Sequence, residues 1–465
     1  MKKRFNLRPW NQLALLATLT GVSPMLQAGA SITGITGPNF TLTAKDMYLP
    51  TPDGGSVYTW GYDDDDDAAK PVQYPGPTLI VNQGDVVSVT LVNNLPQPTS
   101  IVFPGQTGVT ATGGTRGLLT NEAGRFVANT NPATPACTPQ PACNTVTYTF
   151  TASAPGTYLY HSGTRPDLQV EMGLVGALIV RPNGYDAHAP QAYDHAGSAY
   201  DHEYLALLTE MDTRIHNEVR LRKTNFTTYN NIDTRSYKPV WWFINGRNGL
   251  DTVLPDDYEF LPNQPYGSIV RSHPGEKILL RVIGAGRDPH PFHTHGNNFT
   301  LLAKDGRMYE SNPGVSGPDR TTSGFTNETN PGETYDLLFK WTGENIGWDM
   351  YGYTNATTPT YCNADGTATA DYPRDKMTQT AADRCKSIPV TLPELQDLTF
   401  GPFYSGSPYL GSAGTLPPGE GGFNANNGFF FMWHSHSERE LINFNIFPGG
   451  MLTFLIIEPP GVAIP

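Results

Sequence analysis

The chain has 465 residues, with 30 Lys and Arg against 43 Asp and Glu, which gives a formal charge of −13. That length accommodates two or three domains with substantial cores, and the lack of any basic run excludes a protein that neutralises nucleic-acid phosphates. Gly (48) and Pro (41) are abundant and only 16% of residues are charged, a composition suited to short strands joined by turns, so the expectation is an all-β protein.

In chain order, residues 1–30 read as a secretory signal peptide. Met1-Lys2-Lys3-Arg4 and Arg8 make a basic start, Leu13 to Leu19 a short apolar run, and Leu26-Gln27-Ala28 or Ala28-Gly29-Ala30 a small-residue cleavage point. The mature chain then begins near Gly29 or Ser31, and the protein is exported to the periplasm, the cell surface or the medium. The apolar run is too short to span a bilayer, and no later stretch is apolar enough to do so.

Residues 31–182 are expected to form a first β-sandwich. Thr78 to Asn94 reads as strand, turn at Gly84-Asp85, and strand with period-two alternation; Thr145 to Ala152, Gly156 to His161 and Gly176 to Val180 supply further strands. The five-carboxylate run Asp63 to Asp67 has no interleaved glycine or carbonyl-donor pattern and reads as a solvated loop rather than a cation site. Residues 183–237 read as a linker and entry strand. Within them Asp186/His188, Asp194/His195 and Asp201/His202 recur with their histidines at seven-residue steps, a pattern with no strand or helix period to fix it for chelation. Residues 238–465 are expected to form a second sandwich from Trp241 to Arg247, Lys277 to Ile283, Thr334 to Trp341 and Met451 to Glu458, interrupted by a Gly/Pro/Asn/Thr-rich insertion at about 354–428. Four cysteines fall as two local pairs, Cys137 with Cys143 and Cys362 with Cys385. None lies beside a histidine segment, and export favours two loop-closing disulfides over thiolate ligation.

The chemistry is concentrated in histidines. Of the 11 in the chain, five sit in Pro289-His290-Pro291-Phe292-His293-Thr294-His295-Gly296 and Trp433-His434-Ser435-His436. Alternate residues of a strand share a face, so His293 and His295 point together, as do His434 and His436; imidazoles so paired are metal ligands in waiting.

These segments resemble those of the multicopper oxidases. His290 to Gly296 is similar to their HPxHxHG segment and His434-Ser435-His436 to their HCH segment. Tyr158-Leu159-Tyr160-His161-Ser162-Gly163, followed by Gln169, Gly173-Leu174 and Gly176, resembles their YHSHxxxQxxxGLxG segment, and Pro75-Gly76-Pro77-Thr78 their PGPT entry. The resemblance implies two tandem cupredoxin-like Greek-key β-sandwich domains and a copper cofactor, with zinc as a competitor for imidazole ligands.

It also exposes departures. Thr99-Ser100-Ile101-Val102-Phe103-Pro104-Gly105-Gln106 stands where the family's first histidine pair belongs, and Gly163 where the partner of His161 belongs. Ser435 occupies the position of the cysteine that carries the electron-entry copper, and Glu440 the spacing of that copper's second imidazole; only His290 matches a ligand there. A serine hydroxyl is neither soft nor deprotonated near neutral pH, so no blue copper centre and no laccase turnover are expected.

The carried-over metal set is therefore His161, His293, His295, His434 and His436, with His290 matched to a ligand of the electron-entry site and otherwise a nearby proton or hydrogen-bond partner. His161 and His436 correspond to one member of the coupled copper pair, His295 and His434 to the other, and His293 to the single copper. The expected function is an exported copper-binding protein, either a reduced oxidoreductase acting on a metal ion or small molecule or a non-catalytic carrier. The alternative is a structural or assembly protein built on inherited sandwiches. Two-domain relatives form closed trimers with the cluster between subunits, which implies a homo-oligomer here, as a trimer or a head-to-tail assembly.

Overall fold

The computed structural model describes residues 30–465 except 66, 68, 69, 127–136, 223–228, 230, 342–405, 407–421, 427, 460 and 461. The leader, the Cys362/Cys385 pair and most of the 354–428 insertion lie outside the described residues.

The molecule is all-β, with two sandwiches. In the first, the strands Ser56–Asp64, Asn39–Pro50, Val86–Asn93, Thr145–Thr151 and Thr110–Gly113 make a five-stranded sheet in that spatial order. Ile35–Thr36, Gly76–Asn82, Val175–Arg181 and Gly156–His161 make the four-stranded sheet opposite. Alternation in Val86–Asn93 sends Val87, Val89 and Leu91 into the core against Trp60, Tyr148 and Phe150. Gly84 takes a left-handed φ of +91° in the turn before it, as the Gly-Asp pair suggested. Cys137 and Cys143 form a disulfide.

The second sandwich has a seven-stranded sheet containing Trp241–Ile244, His202–Met211, Lys277–Gly284, Thr334–Lys340 and Phe299–Lys304 in that order. Facing it is a five-stranded sheet of Val270–Ser272, Leu452–Ile457, Phe429–Ser435, His290–Thr294 and Thr326–Thr329. Two features of the 183–237 stretch depart from the linker expectation. His202 is buried at the start of a strand, and Thr213–Arg222 is a helix whose Ile215, His216 and Val219 face inward while the Asp212 carboxylate accepts the Arg214 amide at its start. The acidic run differs too: Asp63 and Asp64 end a strand and are buried, and Lys45 pairs with Asp63.

The two sandwiches share an apolar seam. Leu159, Val175, Ala177 and Ile179 from the first four-stranded sheet pack with Leu205, Leu207, Trp241, Phe243 and Ile283 of the second sandwich. Covered on both faces, Val175–Arg181 is buried along its whole length, which is why it reads as a continuous apolar run rather than an alternating one. Inside the seam Arg281 donates to Glu203 at 2.6 Å, Arg181 reaches the same oxygen at 2.5 Å, and Arg281 also donates to Thr157 at 2.8 Å. Although burial opposes ionisation of Glu203, the two guanidinium groups hold its pKa down at about 2. Among the described residues no helix is long and apolar enough to cross a membrane.

Because Glu203 is ionised between two buried cations, Glu203→Ala leaves uncompensated charge in the seam and should cost about 3–5 kcal/mol in urea unfolding. Its folded pKa lies below the unfolded value, so the pair's contribution is complete above pH ~4.5 and disappears as pH falls toward 2. A pH series of unfolding curves in which wild type and variant converge at low pH checks both points.

Candidate metal centre

The strand His290–Thr294 pairs antiparallel with Phe429–Ser435 in the register Phe292 with Ser435, His293 with His434, and Thr294 with Trp433. Phe292 and Trp433 are buried in the sandwich core. The pleat therefore turns His293 and His434 to the outer face of the five-stranded sheet, directly across from each other. The chain continues one residue past the strand to His295 and one past its partner to His436, completing a group of four rings.

These rings touch. His293 lies 4.7 Å from His295, 4.9 Å from His436 and 5.5 Å from His434, centroid to centroid. His295 Nε2 and His434 Nε2 are 3.1 Å apart, and one ligand nitrogen each from His293, His295 and His434 falls within 4.8 Å of the others. His434 is buried, His293 and His295 are half-buried, and His436 is exposed.

Hydrogen bonds fix which nitrogen is available. His434 Nδ1 sits 2.6 Å from the Ser435 carbonyl, which accepts only a proton donor, so Nε2 carries the lone pair aimed at His295. His293 Nδ1 meets the Thr326 hydroxyl at 2.7 Å, leaving its Nε2 toward the group. Burial, then the neighbouring imidazoles, hold His293 down at about 4. Burial likewise dominates at His434, which also falls to about 4. Neutral, lone-pair-bearing rings at short separation are a donor set that fits a copper or zinc ion.

The first sandwich does not join this group. His161 ends the strand Gly156–His161 and gives its Nδ1 to the Ser162 carbonyl at 2.9 Å, the same orienting bond as in His434, but among the described residues it makes none of the contacts that link the other four rings. Its missing partners have been replaced. A Cβ at Gly163 would come within 2.6 Å of Val102, so that place is closed to a larger side chain. At the position of the absent first pair, Thr99 donates to Gln169 at 2.8 Å, Ser162 to the same oxygen at 2.6 Å, and Ser100 bonds Thr164 at 2.8 Å.

At the place matched to the family's electron-entry copper, the contacts are ionic. Both nitrogens of buried His290 face carboxylates, Nε2 to Glu210 at 2.8 Å and Nδ1 to Glu440 at 2.9 Å, and Ser435 donates to that same Glu440 oxygen at 2.6 Å. His290 thus meets an acceptor at each ring nitrogen, which matches the hydrogen-bond role expected of it beside its place in the expected ligand set. Glu210 also accepts the Arg287 and Asp288 amides at 2.6 and 3.0 Å. Burial works against a charged ring, but the hydrogen bonds to Glu210 and Glu440 outweigh it and raise His290 to about 9. Glu210 escaped the sequence reading, and its signal was a carboxylate inside the apolar strand Leu205-Ala206-Leu207-Leu208-Thr209-Glu210-Met211.

A multicopper oxidase family model matches residues 67–118 and 124–184, and a second multicopper oxidase model matches 224–342. This chain belongs to the multicopper oxidases. Copper resistance protein A of Escherichia coli is 25% identical over 386 residues, covering 77% of this chain and 53% of the relative. Laccase-1 of Emericella nidulans is 30% identical over 200 residues, covering 41% of this chain and 28% of the relative. The chain thus spans about half of the first relative's length and less of the second's. Among solved structures, the blue copper oxidase of Nitrosomonas europaea superposes with a TM-score of 0.50 at 19% identity, covering 90% of this chain and 85% of that one. The multicopper oxidase mgLAC gives 0.51 at 17%, covering 92% and 87%. These structural matches carry the multicopper oxidase fold, and the family implies copper.

Two measurements probe this ionic position. Ser435→Cys alone should give no intense thiolate-to-copper band on copper loading, because Glu440 keeps the His290 nitrogen and no second imidazole is present; a blue sample would contradict this. His290 has a folded pKa above its unfolded 6.5, so its stabilisation is full below pH ~6.5 and is lost as pH rises through about 9, an order observable by ring NMR titration beside unfolding curves.

Proposed function

We propose that this multicopper-oxidase-type chain is an exported copper-binding protein that holds a single copper ion on His293, His295 and His434, with His436 at the open side, and that it does not perform laccase turnover. The observation that carries this reading is the convergence of one ligand nitrogen each from His293, His295 and His434 within 4.8 Å, with the His434 Nε2 lone pair turned toward His295 by the His434–Ser435 bond. A packed structural relic would bury such rings singly, whereas here His295 and His434 hydrogen-bond to each other through their Nε2 atoms at 3.1 Å, with the His293 ring beside them. The name of the Escherichia coli relative, a copper resistance protein, supports the same metal.

Bound copper would supply one-electron chemistry. The chain's own contribution is to orient His434 through the Ser435 carbonyl and His293 through Thr326, and to leave the site open at exposed His436 for a small reductant or an incoming metal ion. Fast electron entry is not provided for, because His290 is occupied on both sides by carboxylates. Binding and slow redox chemistry, or delivery, fit this arrangement better than oxidase turnover. Zinc competes for the same rings.

A homo-oligomer is also part of the proposal. The four-ring group lies on the outer face of its sheet beside Phe325, which is 50% exposed, so a neighbouring subunit's first sandwich could bring its own His161 to the open side.

Copper loading of the purified protein, read by metal analysis and electron paramagnetic resonance, should give one tightly bound Cu(II) with no blue band. His434→Ala should weaken binding by roughly 100-fold or more, beyond the loss typical of an orienting partner. A wild-type protein that retains no copper after desalting would overturn the reading and return the chain to a structural role. Dioxygen uptake with a panel of reductants then separates an oxidase from a carrier.

A further inference from the structure

The structure gathers a second set of metal-type ligands, outside the first, where the two ends of the described chain meet. His202 opens the strand His202–Met211, while His273 and Glu276 lie on the turn between Val270–Ser272 and Lys277–Gly284. Glu276 Oε2 is 2.6 Å from His202 Nε2 and 3.0 Å from His273 Nδ1, and these ligand atoms all fall within 4.8 Å of one another. The side chains are 6%, 20% and 5% exposed for His202, His273 and Glu276.

The partners around the group decide what lies in the middle. His273 Nε2 is 2.9 Å from the Val462 carbonyl, an acceptor, so Nε2 is the protonated nitrogen. In a neutral ring Nδ1 then carries a lone pair, and it faces the carboxylate of Glu276, another acceptor. Two acceptors 3.0 Å apart in a part-buried site call for a proton or a metal ion between them. Two imidazoles and one carboxylate are a recurring zinc ligand set, with a fourth position left for water. The Val462 carbonyl supplies the orienting bond that a metal-bound histidine normally has.

We propose that His202, His273 and Glu276 form a divalent-metal site of the zinc class at the edge of the second sandwich, beside Ala30 and Val462. His202 takes part by moving its ring proton from Nε2 to Nδ1. That exchange gives up the bond in which Ala30 N–H donates to His202 Nδ1 at 3.0 Å, at the first described residue of the chain. Zinc uptake and the Ala30 contact therefore compete. Val462 is held whether the cation is a proton or a metal, but only the metal draws His202 and His273 into one coordination sphere.

The test is calorimetric titration with Zn²⁺ of the full chain carrying His434→Ala, which disables the first imidazole group. One equivalent should bind, and adding His273→Ala or Glu276→Gln should weaken that binding by roughly 100-fold or more. Equal zinc uptake with and without His273→Ala, or none in the His434→Ala protein, overturns the proposal. Should a variant fail to fold, wild-type crystals soaked in zinc decide the matter at the zinc absorption edge. An anomalous peak among His202, His273 and Glu276 supports the site, and peaks elsewhere only refute it. The copper reading is tested separately through His434, so the two stand or fall independently.

Discussion

The centre of this molecule depends on one cross-strand register, His293 opposite His434. Because side chains alternate faces along a strand, the pairing that buries Phe292 and Trp433 in the core also sets two imidazoles side by side on the outside. A slip of one residue would exchange them, placing histidines in the aromatic core and aromatics on the surface. The hydrophobic cost of that exchange keeps the rings aligned by packing alone, so the group is already organised for the copper ion proposed for it.

Where the family's ligands are absent, the vacated positions have not been left as holes. A buried polar group without a partner is expensive, and two different replacements avoid that cost. In the first sandwich, Thr99, Ser100, Ser162, Thr164 and Gln169 form a neutral hydroxyl and amide network. At the electron-entry position, a buried imidazole sits between the carboxylates of Glu210 and Glu440, so a proton holds the place of a metal charge. The outcomes differ because His290 was retained and the first-sandwich pair was not.

Much of this was legible in the sequence because it follows from short-range periodicity. Alternation around Gly84 gave two consecutive strands, one in each sheet of the first sandwich, and the spacing of His293 with His295 and of His434 with His436 gave shared faces. The departures at Gly163, Ser435 and Glu440 were visible as single letters. What could not be read were contacts set by tertiary pairing. Glu210 is 80 residues from His290 and Glu276 is 74 from His202, and no local pattern links either pair. The helix Thr213–Arg222 was also missed, because its apolar face is only Ile215 and Val219 with His216, too sparse to stand out as a period of 3.6. His161 shows the converse: its motif was recognisable, but recognition of a segment does not specify which surface it will meet.

The seam between the sandwiches has a thermodynamic consequence. It combines a wide apolar contact with charges from both halves, Arg181 on one side and Glu203 and Arg281 on the other, all out of water. Separating the halves would hydrate that apolar surface and strip the ions of their partners, so a species with one half melted should be sparsely populated. Such a chain should lose its order in a single cooperative step, its calorimetric enthalpy matching the van't Hoff value for the whole length rather than for either half.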